Sequence, residues 1–437
     1  MSEIVRRTSS VCPICLKRLP ADIVKTGNDY FIKKTCPEHG PVEAVIWRGE
    51  NPAFETWGDY TPPGDINVPD CPNSCGLCAH HLQKTCCVLV EVTSRCNLNC
   101  PVCFADSGAS SDEPTVGALY STFKKLAENG RTFVQLSGGE PTVRDDLPEI
   151  VAAARKAGCE NIQLNSNGLR LGADPTYTTA LCDAGLSFVF LQFDGTADTI
   201  YAKLRGRPLF AQKTAAIDVC ADNRLGVTLV PTVVPGINDH NIGAIINFGL
   251  AHSPAVRGIH FQPISYFGRY PKAPENKDRI TLPEILTAIE MQTDGKVKIT
   301  DFAPSRCDHP RCGFHGDFVV LPNSTLLRLT SNSKKSSCCD DNAHLKNRNF
   351  VSRRWKRSAD NEIYKADDDY RDMGTFLKRV KSHGFTISAM AFQDAYTLDI
   401  ERLQLCSLHV INRHDAHKSD GIIPFCANYI TPYDRIV

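Results

Sequence analysis

Short apolar runs alternate with amphipathic stretches of helical length between residues 88 and 265 of the chain. The apolar runs, predicted to be strands, lie near 88–93, 132–137, 161–165, 187–193, 226–234 and 257–264. The amphipathic stretches, predicted to be helices, lie near 116–129, 145–157, 174–184, 208–223 and 239–251. Because strands that alternate with helices pair in parallel through right-handed crossovers, this pattern predicts an α/β fold. Six strands indicate a partial (β/α)6 barrel of the TIM type, with its chemistry at the carboxyl ends of the strands.

The rest of the chain is divided by changes in composition. Four parts are predicted: a metal-binding knuckle (1–60), a linker with a cysteine-rich loop (61–87), the barrel (88–300) and a C-terminal domain that binds an auxiliary cluster (301–437). The segment 331–372 is charged and rich in Ser and Asn, so we expect a solvated excursion there. The paired cations Lys334-Lys335 and Arg353-Arg354 are accordingly predicted to lie on a solvated face.

The overall charge excludes some partners. Forty-nine basic residues balance forty-nine acidic ones, so the chain has little long-range attraction to nucleic acid, and we expect no nucleic-acid partner. The apolar runs are far too short to span a bilayer, and no apolar signal segment follows the first seven residues. We therefore expect a cytoplasmic protein, peripheral to the membrane if its substrate is a lipid.

The chain contains twenty cysteines, and most of them are clustered. In a reducing cytosol, closely spaced cysteines indicate metal rather than disulfides. Cys12 and Cys15 lie about twenty residues before Cys36 and His39, which is the layout of a zinc ribbon or rubredoxin-like knuckle. We predict one mononuclear Zn or Fe there. The fourth ligand stays open between His39 and either water or another cysteine.

A second group of cysteines suits one [4Fe–4S] cluster. It consists of Cys71, Cys75 and Cys78, followed by Cys86. Cys86 is favoured over its neighbour Cys87 because Cys87 begins a buried apolar run. The isolated Cys159, Cys182 and Cys220 are predicted to be core residues. His80-His81 is interpreted as part of the surface or as support for the loop of Cys71, Cys75 and Cys78, rather than as a zinc pair.

Three more cysteines, Cys96, Cys100 and Cys103, come directly after the first barrel strand. Three thiolates bind three irons of a [4Fe–4S] cube, so the fourth iron keeps a site open for an amine and a carboxylate. Two polar motifs follow the next two strands, Gly138-Gly139-Glu140-Pro141 and Asn165-Ser166-Asn167-Gly168.

In this order, the three motifs resemble the signature of the radical S-adenosylmethionine (SAM) enzymes. The resemblance implies that Cys96, Cys100 and Cys103 hold a [4Fe–4S] cluster bound with SAM. It assigns the cofactor to Phe104, Gly138, Gly139 and Glu140, the last holding the methionyl amine, and to Asn165, Ser166 and Asn167 near the ribose. It also implies a reducing partner such as ferredoxin or flavodoxin. Asp194 and Gln262 end the fourth and sixth strands and are further candidates, although Asp194 equally suits a role in holding its loop.

Nearly the whole chain also resembles a narrower group, the archaeal tetraether lipid synthases and their uncharacterised relatives, some once described as pterin methylases. The matching stretches are 12–40, 71–105, 230–239, 390–394 and 423–426. The resemblance implies additional [4Fe–4S] clusters, with Cys307, Cys312, Cys406 and Cys426 as ligands. Two departures lie toward the C-terminal end: Asn428-Tyr429 stands in the opposite order to that expected, and Cys338-Cys339 has no recognised counterpart.

The resemblance implies reductive cleavage of SAM to a 5′-deoxyadenosyl radical that abstracts hydrogen from an unactivated carbon. We expect C–C bond formation or alkylation, on a lipid chain or a small molecule. The alternatives are methylation of a pterin-like heterocycle or modification of a peptide. A hypothesis of another class is a non-catalytic iron–sulfur protein for electron transfer or redox sensing, which would need no SAM site. A long apolar tunnel would favour the lipid.

Overall fold

The computed structural model describes residues 2–58, 71–72, 80–108, 113–305, 307–329, 342–356, 372–411 and 421–430. Its first element is a four-stranded antiparallel sheet, called here the N-terminal sheet. Its strands pair in chain order and are β1 (Ser2–Val11), β2 (Arg18–Thr26), β3 (Asp29–Cys36) and β4 (Gly40–Trp47). Alternate side chains such as Ile23, Ile32 and Trp47 are buried in the main core, which attaches this sheet to the rest of the protein.

The six strands predicted for the barrel are present and pair in parallel. They are β5 (Cys87–Thr93), β6 (Phe133–Gly138), β7 (Asn161–Ser166), β8 (Phe188–Gln192), β9 (Gly226–Val230) and, after the two-residue β10 (Thr232–Val233), β11 (Val256–Pro263). The connecting helices are α1 (Val116–Glu128), α2 (Leu147–Lys156), α3 (Leu169–Ala173), α4 (Pro175–Asp183), α5 (Asp198–Arg205), α6 (Phe210–Asp222), α7 (Ile242–Ala251) and α8 (Leu282–Gln292). Both the order and the approximate bounds of the predicted elements are therefore confirmed.

The C-terminal part of the chain extends the same sheet at both ends. Its elements are β12 (Ala303–Pro304), β13 (Gly313–Val320), β14 (Leu326–Arg328), α9 (Ala343–Trp355), α10 (Met373–Ser382), β15 (Gly384–Met390), α11 (Ile400–Gln404), β16 (Leu408–Ile411), β17 (Ile422–Pro424) and α12 (Phe425–Tyr429). Strand β15 pairs in parallel with β11, and β16 pairs in parallel with β5. Residues after 300 thus flank the predicted barrel on both sides.

The two faces of the parallel sheet differ in polarity. On β5, Val88, Val90 and Val92 pack with Leu119 and Phe123 of α1 in the main core. Because side chains alternate along a strand, the intervening positions face the inside of the barrel. Toward the carboxyl ends of the strands these inward positions are largely polar, and they include Glu91, Gln135, Gln163, Asn165, Thr228, His260, Gln262 and Ser388. Near the strand starts they are apolar, and Phe133, Phe188 and Phe190 lie there with Trp355 of the C-terminal part.

Helix α9 corrects the expectation of a solvated excursion over 331–372. Within the described residues of that segment, Ala343–Trp355 form a helix whose Trp355 and Val351 pack with Phe133, Phe188 and other residues near the strand starts. A single large apolar residue such as Trp355 buries enough surface to dock a charged helix. The sequence-based interpretation was wrong here because the helix is polar on most of its circumference.

The solvated face predicted for Arg353-Arg354 is wrong for one of the two residues. The Arg354 guanidinium lies 2.6 Å from an Asp317 carboxylate oxygen, and both side chains are largely buried. Arg353 is exposed. Lys334, Lys335, Cys338 and Cys339 lie outside the described residues.

Candidate active site and metal centres

The N-terminal sheet brings four metal-ligating side chains together at one end. Cys12 and Cys15 lie in the turn after β1, and Cys36 and His39 lie in the turn after β3. Their ligand atoms all fall within 4.8 Å of one another, with His39 Nδ1 3.6 Å from Cys12 Sγ and 3.4 Å from Cys36 Sγ. Three thiols and one imidazole at this spacing fit a tetrahedral metal, and the donor set suits zinc. The structure places His39 within this donor set.

The loop that follows β5, residues 94–108, is called here the cysteine loop and carries Cys96, Cys100 and Cys103. It is held by the loop after β11: the backbones of Cys103 and Arg269 exchange two hydrogen bonds of 2.9 and 3.0 Å. The Arg269 guanidinium also donates to the carbonyl oxygens of Cys100 and Ser107. At Gly268, φ is +53° and a Cβ would lie 2.6 Å from the Cys103 oxygen, so only glycine fits this contact.

Gly138 and Gly139 bring the end of β6 onto the base of the cysteine loop. A Cβ on Gly138 would lie 2.0 Å from the Thr93 carbonyl oxygen, and one on Gly139 would lie 2.1 Å from that of Arg95. The Gly139 amide donates to Thr93, and the next amide donates to Arg95. Close approach of backbone to backbone therefore accounts for both glycines, in addition to the approach to cofactor expected from the resemblance.

Glu140 links the ends of β6 and β7 and is buried. One carboxylate oxygen accepts from Ser166 Oγ at 2.7 Å and from Thr142 Oγ1 at 2.6 Å, and the other accepts from the Asn167 amide at 2.6 Å. Asn167 in turn donates to the Asn97 side chain of the cysteine loop at 2.7 Å. The predicted motif residues after the second and third strands thus form one hydrogen-bonded unit with that loop.

Asn165 and Gln262 point into the barrel rather than toward that unit. Asn165 accepts from Gln163 at 3.2 Å and lies 3.5 Å from Ser137 Oγ. Gln262 lies opposite Thr232 in the register of β10 and β11. Both side chains are half-buried, so they remain accessible to a small molecule inside the barrel.

Asp194 holds a cation beside the cysteine loop. It is fully buried and accepts two hydrogen bonds from the Arg205 guanidinium, at 2.7 and 2.8 Å, and one from the Thr232 amide. Burial lowers the pKa of Arg205. The negative charges of Asp194 and of the Cys100 thiolate, both of which Arg205 contacts, raise that pKa by more. The structure therefore supports the loop-holding role of Asp194, and it places a permanent positive charge at a predicted cluster ligand.

Sequence reasoning missed Arg205, Lys213 and Arg269. Arg205 is the last residue of a helix, where a cation is ordinary, so no local signal marks it. Lys213 is fully buried, and its ammonium group donates to the Asn167 carbonyl at 2.5 Å and to Gln192 at 3.1 Å. Burial lowers the pKa of Lys213 to about 8. Lys213 lies one turn before the buried Ala216 and Ile217 on α6. Because lysines rarely occupy an apolar helix face, this position could have marked Lys213 as a functional candidate from the sequence.

Cys86 and the cysteines after residue 300 form two neighbourhoods, and these differ from the two groups predicted from the sequence. Cys86 and Cys307 pack together, and their side chains interact directly. Asn347 of α9 donates to Cys86 Sγ at 3.4 Å, and Ser407 Oγ lies 3.2 Å from Cys307 Sγ. The buried Asp308 accepts from the amide and hydroxyl of Ser407, both at 2.8 Å. Cys86 therefore meets a residue expected to belong to the other cluster.

The second neighbourhood contains Cys312, Cys406 and Cys426. Arg402 donates to Cys312 Sγ at 3.4 Å, and the backbone amide of Gln393 donates to Cys426 Sγ at 3.3 Å. Burial raises the pKa of Cys406, and the nearby charges of Cys426 and Cys312 contribute to the increase. Cys426 is buried and Cys312 and Cys406 are half-buried. Thiols gathered in this way near a guanidinium fit a group that binds thiolates, because such a group would offset their desolvation.

Helix α12 joins this neighbourhood to the cysteine loop. Besides Cys426, it carries Phe425 and Tyr429, whose rings lie 5.9 and 5.1 Å from that of Phe104. Phe104, predicted to touch the cofactor, therefore packs on the helix that holds an auxiliary cysteine. Cys71 belongs to the same apolar cluster as Cys426, whereas Cys75 and Cys78 lie outside the described residues.

The paired histidines of the sequence are separated in the structure. His80 is exposed, but His81 is largely buried and its Nε2 lies 2.8 Å from the Cys406 carbonyl oxygen and 3.1 Å from His409 Nε2. A zinc site formed by His80 with His81 therefore finds no support. His81 contacts the auxiliary cysteine segment, in line with the expected supporting role.

Comparison with known proteins agrees with the motifs. Residues 90–249 match the radical SAM superfamily model, and residues 4–48 match a model described as the HMPTM N-terminal zinc ribbon domain. A relative from Petrotoga mobilis, GTP 3′,8-cyclase, is 30% identical over 40% of this chain and 55% of its own. Among solved structures, Streptococcus suis SuiB bound to S-adenosylmethionine matches 48% of each chain with 13% identity and a TM-score of 0.39.

One relative matches almost from end to end. The 7,8-dihydro-6-hydroxymethylpterin dimethyltransferase of Methanocaldococcus jannaschii is 33% identical over 96% of this chain and 92% of its own. This finding corrects the narrower resemblance predicted from the sequence, which placed the chain nearest to the tetraether lipid synthases, and lipid biosynthesis receives no support. The chain therefore belongs to the radical SAM superfamily and, within it, to the family of the Methanocaldococcus dimethyltransferase.

Proposed function

We propose that this protein transfers methyl groups to a small pterin-like heterocycle by radical SAM chemistry. The relative that spans nearly the whole chain is named for dimethylation of a pterin, which favours the sequence-based alternative over alkylation of a lipid. The observation that carries the proposal is the polar character of the inner face toward the carboxyl ends of the strands, where the cysteine loop also lies. A lipid chain would need an apolar tunnel, because burying unpaired amides against hydrocarbon is costly.

The inner face offers hydrogen-bonding groups suited to a heterocycle. Gln135, Gln163 and Asn165 supply carboxamides that can both donate and accept, as the edge of a pterin ring requires. Glu91 supplies a carboxylate, which accepts a hydrogen bond of 2.6 Å from the Tyr429 hydroxyl. Such a lining differs from the branched aliphatic layers that fill a closed TIM barrel.

His260 contributes a neutral imidazole to the same surface. Burial lowers its pKa to about 4, so it is uncharged at neutral pH. Its Nδ1 lies 2.9 Å from Ser388 Oγ, and its ring lies 5.5 Å from that of Phe190. An aromatic ring beside polar groups suits a flat substrate, because it can stack on one face while the edge forms hydrogen bonds.

The cysteine loop fits the predicted [4Fe–4S] cluster bound with SAM. Its three cysteines are partly exposed at the carboxyl end of β5, next to the strand-end unit built on Glu140. When bound, the cluster supplies the electron that cleaves SAM. In this arrangement Arg205 adds positive charge at Cys100, and Arg269 fixes the backbone of the loop. Glu140 holds the strand ends that would orient SAM.

The test is a mass-spectrometric assay of anaerobically reconstituted enzyme with SAM, a reductant and 6-hydroxymethyl-7,8-dihydropterin. We expect the pterin to gain one or two methyl groups. The variant Cys96→Ala/Cys100→Ala/Cys103→Ala should form neither this product nor 5′-deoxyadenosine, although zinc stays bound. Product from an isoprenoid lipid and none from the pterin would overturn the proposal. Absence of SAM cleavage in the reconstituted wild type would instead support the non-catalytic iron–sulfur protein.

Replacing Gln135 by Leu tests the substrate pocket separately. The two side chains have similar size, but leucine cannot pair with a heterocycle, so we expect weaker pterin binding by about tenfold with unchanged SAM cleavage. The matched control is Gln292→Leu on α8, because Gln292 is half-buried like Gln135 but lies far from the inner face in sequence and fold. Equal effects of the two substitutions on pterin binding would argue against a pocket at Gln135.

A further inference from the structure

A groove lies between α9 and α10, at the end of the barrel where its strands begin. Its volume is about 840 Å³, and it is lined by Lys346, Asn349, Phe350, Ser352, Arg353, Arg354, Lys356, Leu377, Val380 and Lys381. Five of these ten residues are cationic, and none is acidic. Arg354 is neutralised by Asp317. In a chain with no net charge, the other four cations still create a local positive field that attracts acidic partners.

The two helices that form the groove also expose several large apolar side chains. Leu377 is 52% exposed, and Met373 and Leu345 on the same two helices are 70% and 42% exposed. Phe350 lies half-buried between them. Exposed apolar side chains inside a polar rim are typical of protein–protein contacts, whereas a site for a small anion needs no such surface.

Helix α9 connects the groove to the auxiliary cysteines. Near its start, Ala343 packs against Cys86 and Cys307, and Asn347 donates to Cys86 Sγ. Arg353 follows six residues later, which is about 9 Å along the helix axis. A partner in the groove would therefore lie close to this cysteine pair, whereas the cysteine loop lies at the opposite, carboxyl end of the strands.

We propose that this groove docks an acidic one-electron carrier protein of the flavodoxin or ferredoxin type. The proposal rests on the proposed function, since that chemistry consumes electrons. In the transfer, the reduced carrier would lose one electron and the iron–sulfur cluster that Cys86 and Cys307 would help to hold would gain it; no bond forms or breaks. The cations attract the acidic rim of the carrier, and the apolar residues hold it in place.

The test compares two variants that change charge equally. Arg353→Glu/Lys381→Glu reverses two exposed cations of the groove, and Lys124→Glu/Lys296→Glu reverses two exposed lysines elsewhere. The probe is a purified flavodoxin with net negative charge, and its binding to the metal-loaded full chain is measured by titration calorimetry at two salt concentrations. We expect the groove variant to bind at least about tenfold more weakly, the control to match wild type, and wild-type affinity to fall with salt.

A second measurement separates this proposal from the proposed function. SAM cleavage is followed with dithionite and, separately, with reduced flavodoxin as the electron source. We expect the groove variant to match wild type with dithionite and to be at least about tenfold slower with flavodoxin. Cleavage with dithionite but without pterin product would count against the proposed function alone.

Three outcomes would overturn the docking proposal. The first is equal flavodoxin binding by the groove variant and the control. The second is tighter wild-type binding of a single-stranded RNA than of flavodoxin, which would assign the groove to nucleic acid. The third concerns the acidic linker between the two helices: if flavodoxin binds only the variant Asp367→Asn/Asp368→Asn/Asp369→Asn and not the wild type, the occupant of the wild-type groove is this linker rather than a carrier.

Discussion

The two cysteine-rich regions outside the barrel assemble their thiols in opposite ways. In the N-terminal sheet, Cys12, Cys15 and Cys36 come from two hairpin turns of one small sheet, and His39 completes the set. In the C-terminal part, each neighbourhood gathers thiols from distant segments, as Cys86 with Cys307 shows. A local turn specifies its own metal site, whereas a site built from distant segments depends on the finished fold.

The surroundings of the thiols differ as well. Cys15 and His39 are partly or fully accessible, so the N-terminal site can take up metal after its sheet has formed. Cys307 and Cys426 are buried, with charged groups such as Asp308 and Arg402 packed around them. Metal loading of the N-terminal site is therefore expected to be independent of the C-terminal sites. The C-terminal sites are expected to depend on the packing of the several segments that surround their thiols.

The largest expected effect tests that independence. Cys36→Ser should abolish zinc binding and open the two turns that carry the ligands, because a structural zinc contributes folding free energy directly at its ligands, while Ile23, Ile32 and Trp47 keep the sheet on the main core. Zinc analysis would show the lost metal and limited proteolysis the newly accessible turns, while iron content stays unchanged. The control is Cys182→Ser, a partly buried cysteine remote from every candidate site. Simultaneous loss of iron would show that the two regions form one cooperative unit.

The grouping of the C-terminal cysteines is tested by iron counts in paired variants. If Cys86 and Cys307 share a cluster, Cys86→Ala/Cys307→Ala should lose about four irons, the content of one cubane. Cys307→Ala/Cys312→Ala should then lose about eight, since it removes ligands from both neighbourhoods. The sequence-based grouping gives the reverse pattern. Iron analysis of anaerobically purified protein decides between the two.

A smaller effect is expected where the two regions meet. Arg6 of β1 forms ion pairs with the buried Asp399 and Glu401 of the C-terminal part. Arg6→Met would leave two buried carboxylates without their cation, and we expect unfolding to become easier by about 3 kcal/mol. Arg7→Met is the matched control, because Arg7 is exposed and lies 4.0 Å from Asp22; its expected cost is under about 0.5 kcal/mol. Equal denaturation midpoints for both variants would argue against a coupled interface.

The smallest effect concerns the exposed ion pair beside the N-terminal site. Lys17→Ala removes the partner of Glu38, but both side chains are more than half exposed. Solvent screens such a pair, so we expect no measurable change in zinc affinity or thermal unfolding. A clear loss of zinc affinity would mean that charge near the thiols, and not only their geometry, stabilises the site.

Much of the fold could be predicted from the sequence because its signals are local. Each barrel strand is a continuous apolar run, and the helices between them carry one apolar face, so strands such as Phe133–Gly138 appear within one or two residues of their predicted bounds. Helix α9 was missed because its sequence is polar and only its packing beneath the strands, through Trp355, makes it part of the core.

In the candidate site, too, local features could be predicted from the sequence, whereas contacts between distant segments could not. The spacing of Cys96, Cys100 and Cys103 is visible within eight residues, but Arg205 reaches Cys100 from a helix more than a hundred residues later. Likewise, no pattern in the sequence indicates that Cys86 meets Cys307. Contacts between distant segments depend on sheet order, and the C-terminal strands join both ends of the sheet.

The hold of Arg269 on the cysteine loop has a consequence for biosynthesis. Arg269 follows Cys100 by 169 positions. The three cysteines are therefore translated long before the arginine that holds their loop. The N-terminal site needs only the first two hairpins and can load its metal early. Iron–sulfur insertion into the cysteine loop must therefore either wait for translation of the whole barrel or proceed on a flexible peptide that Arg269 later secures. Ribosome-bound chains stalled before and after residue 269 would tell these two routes of maturation apart.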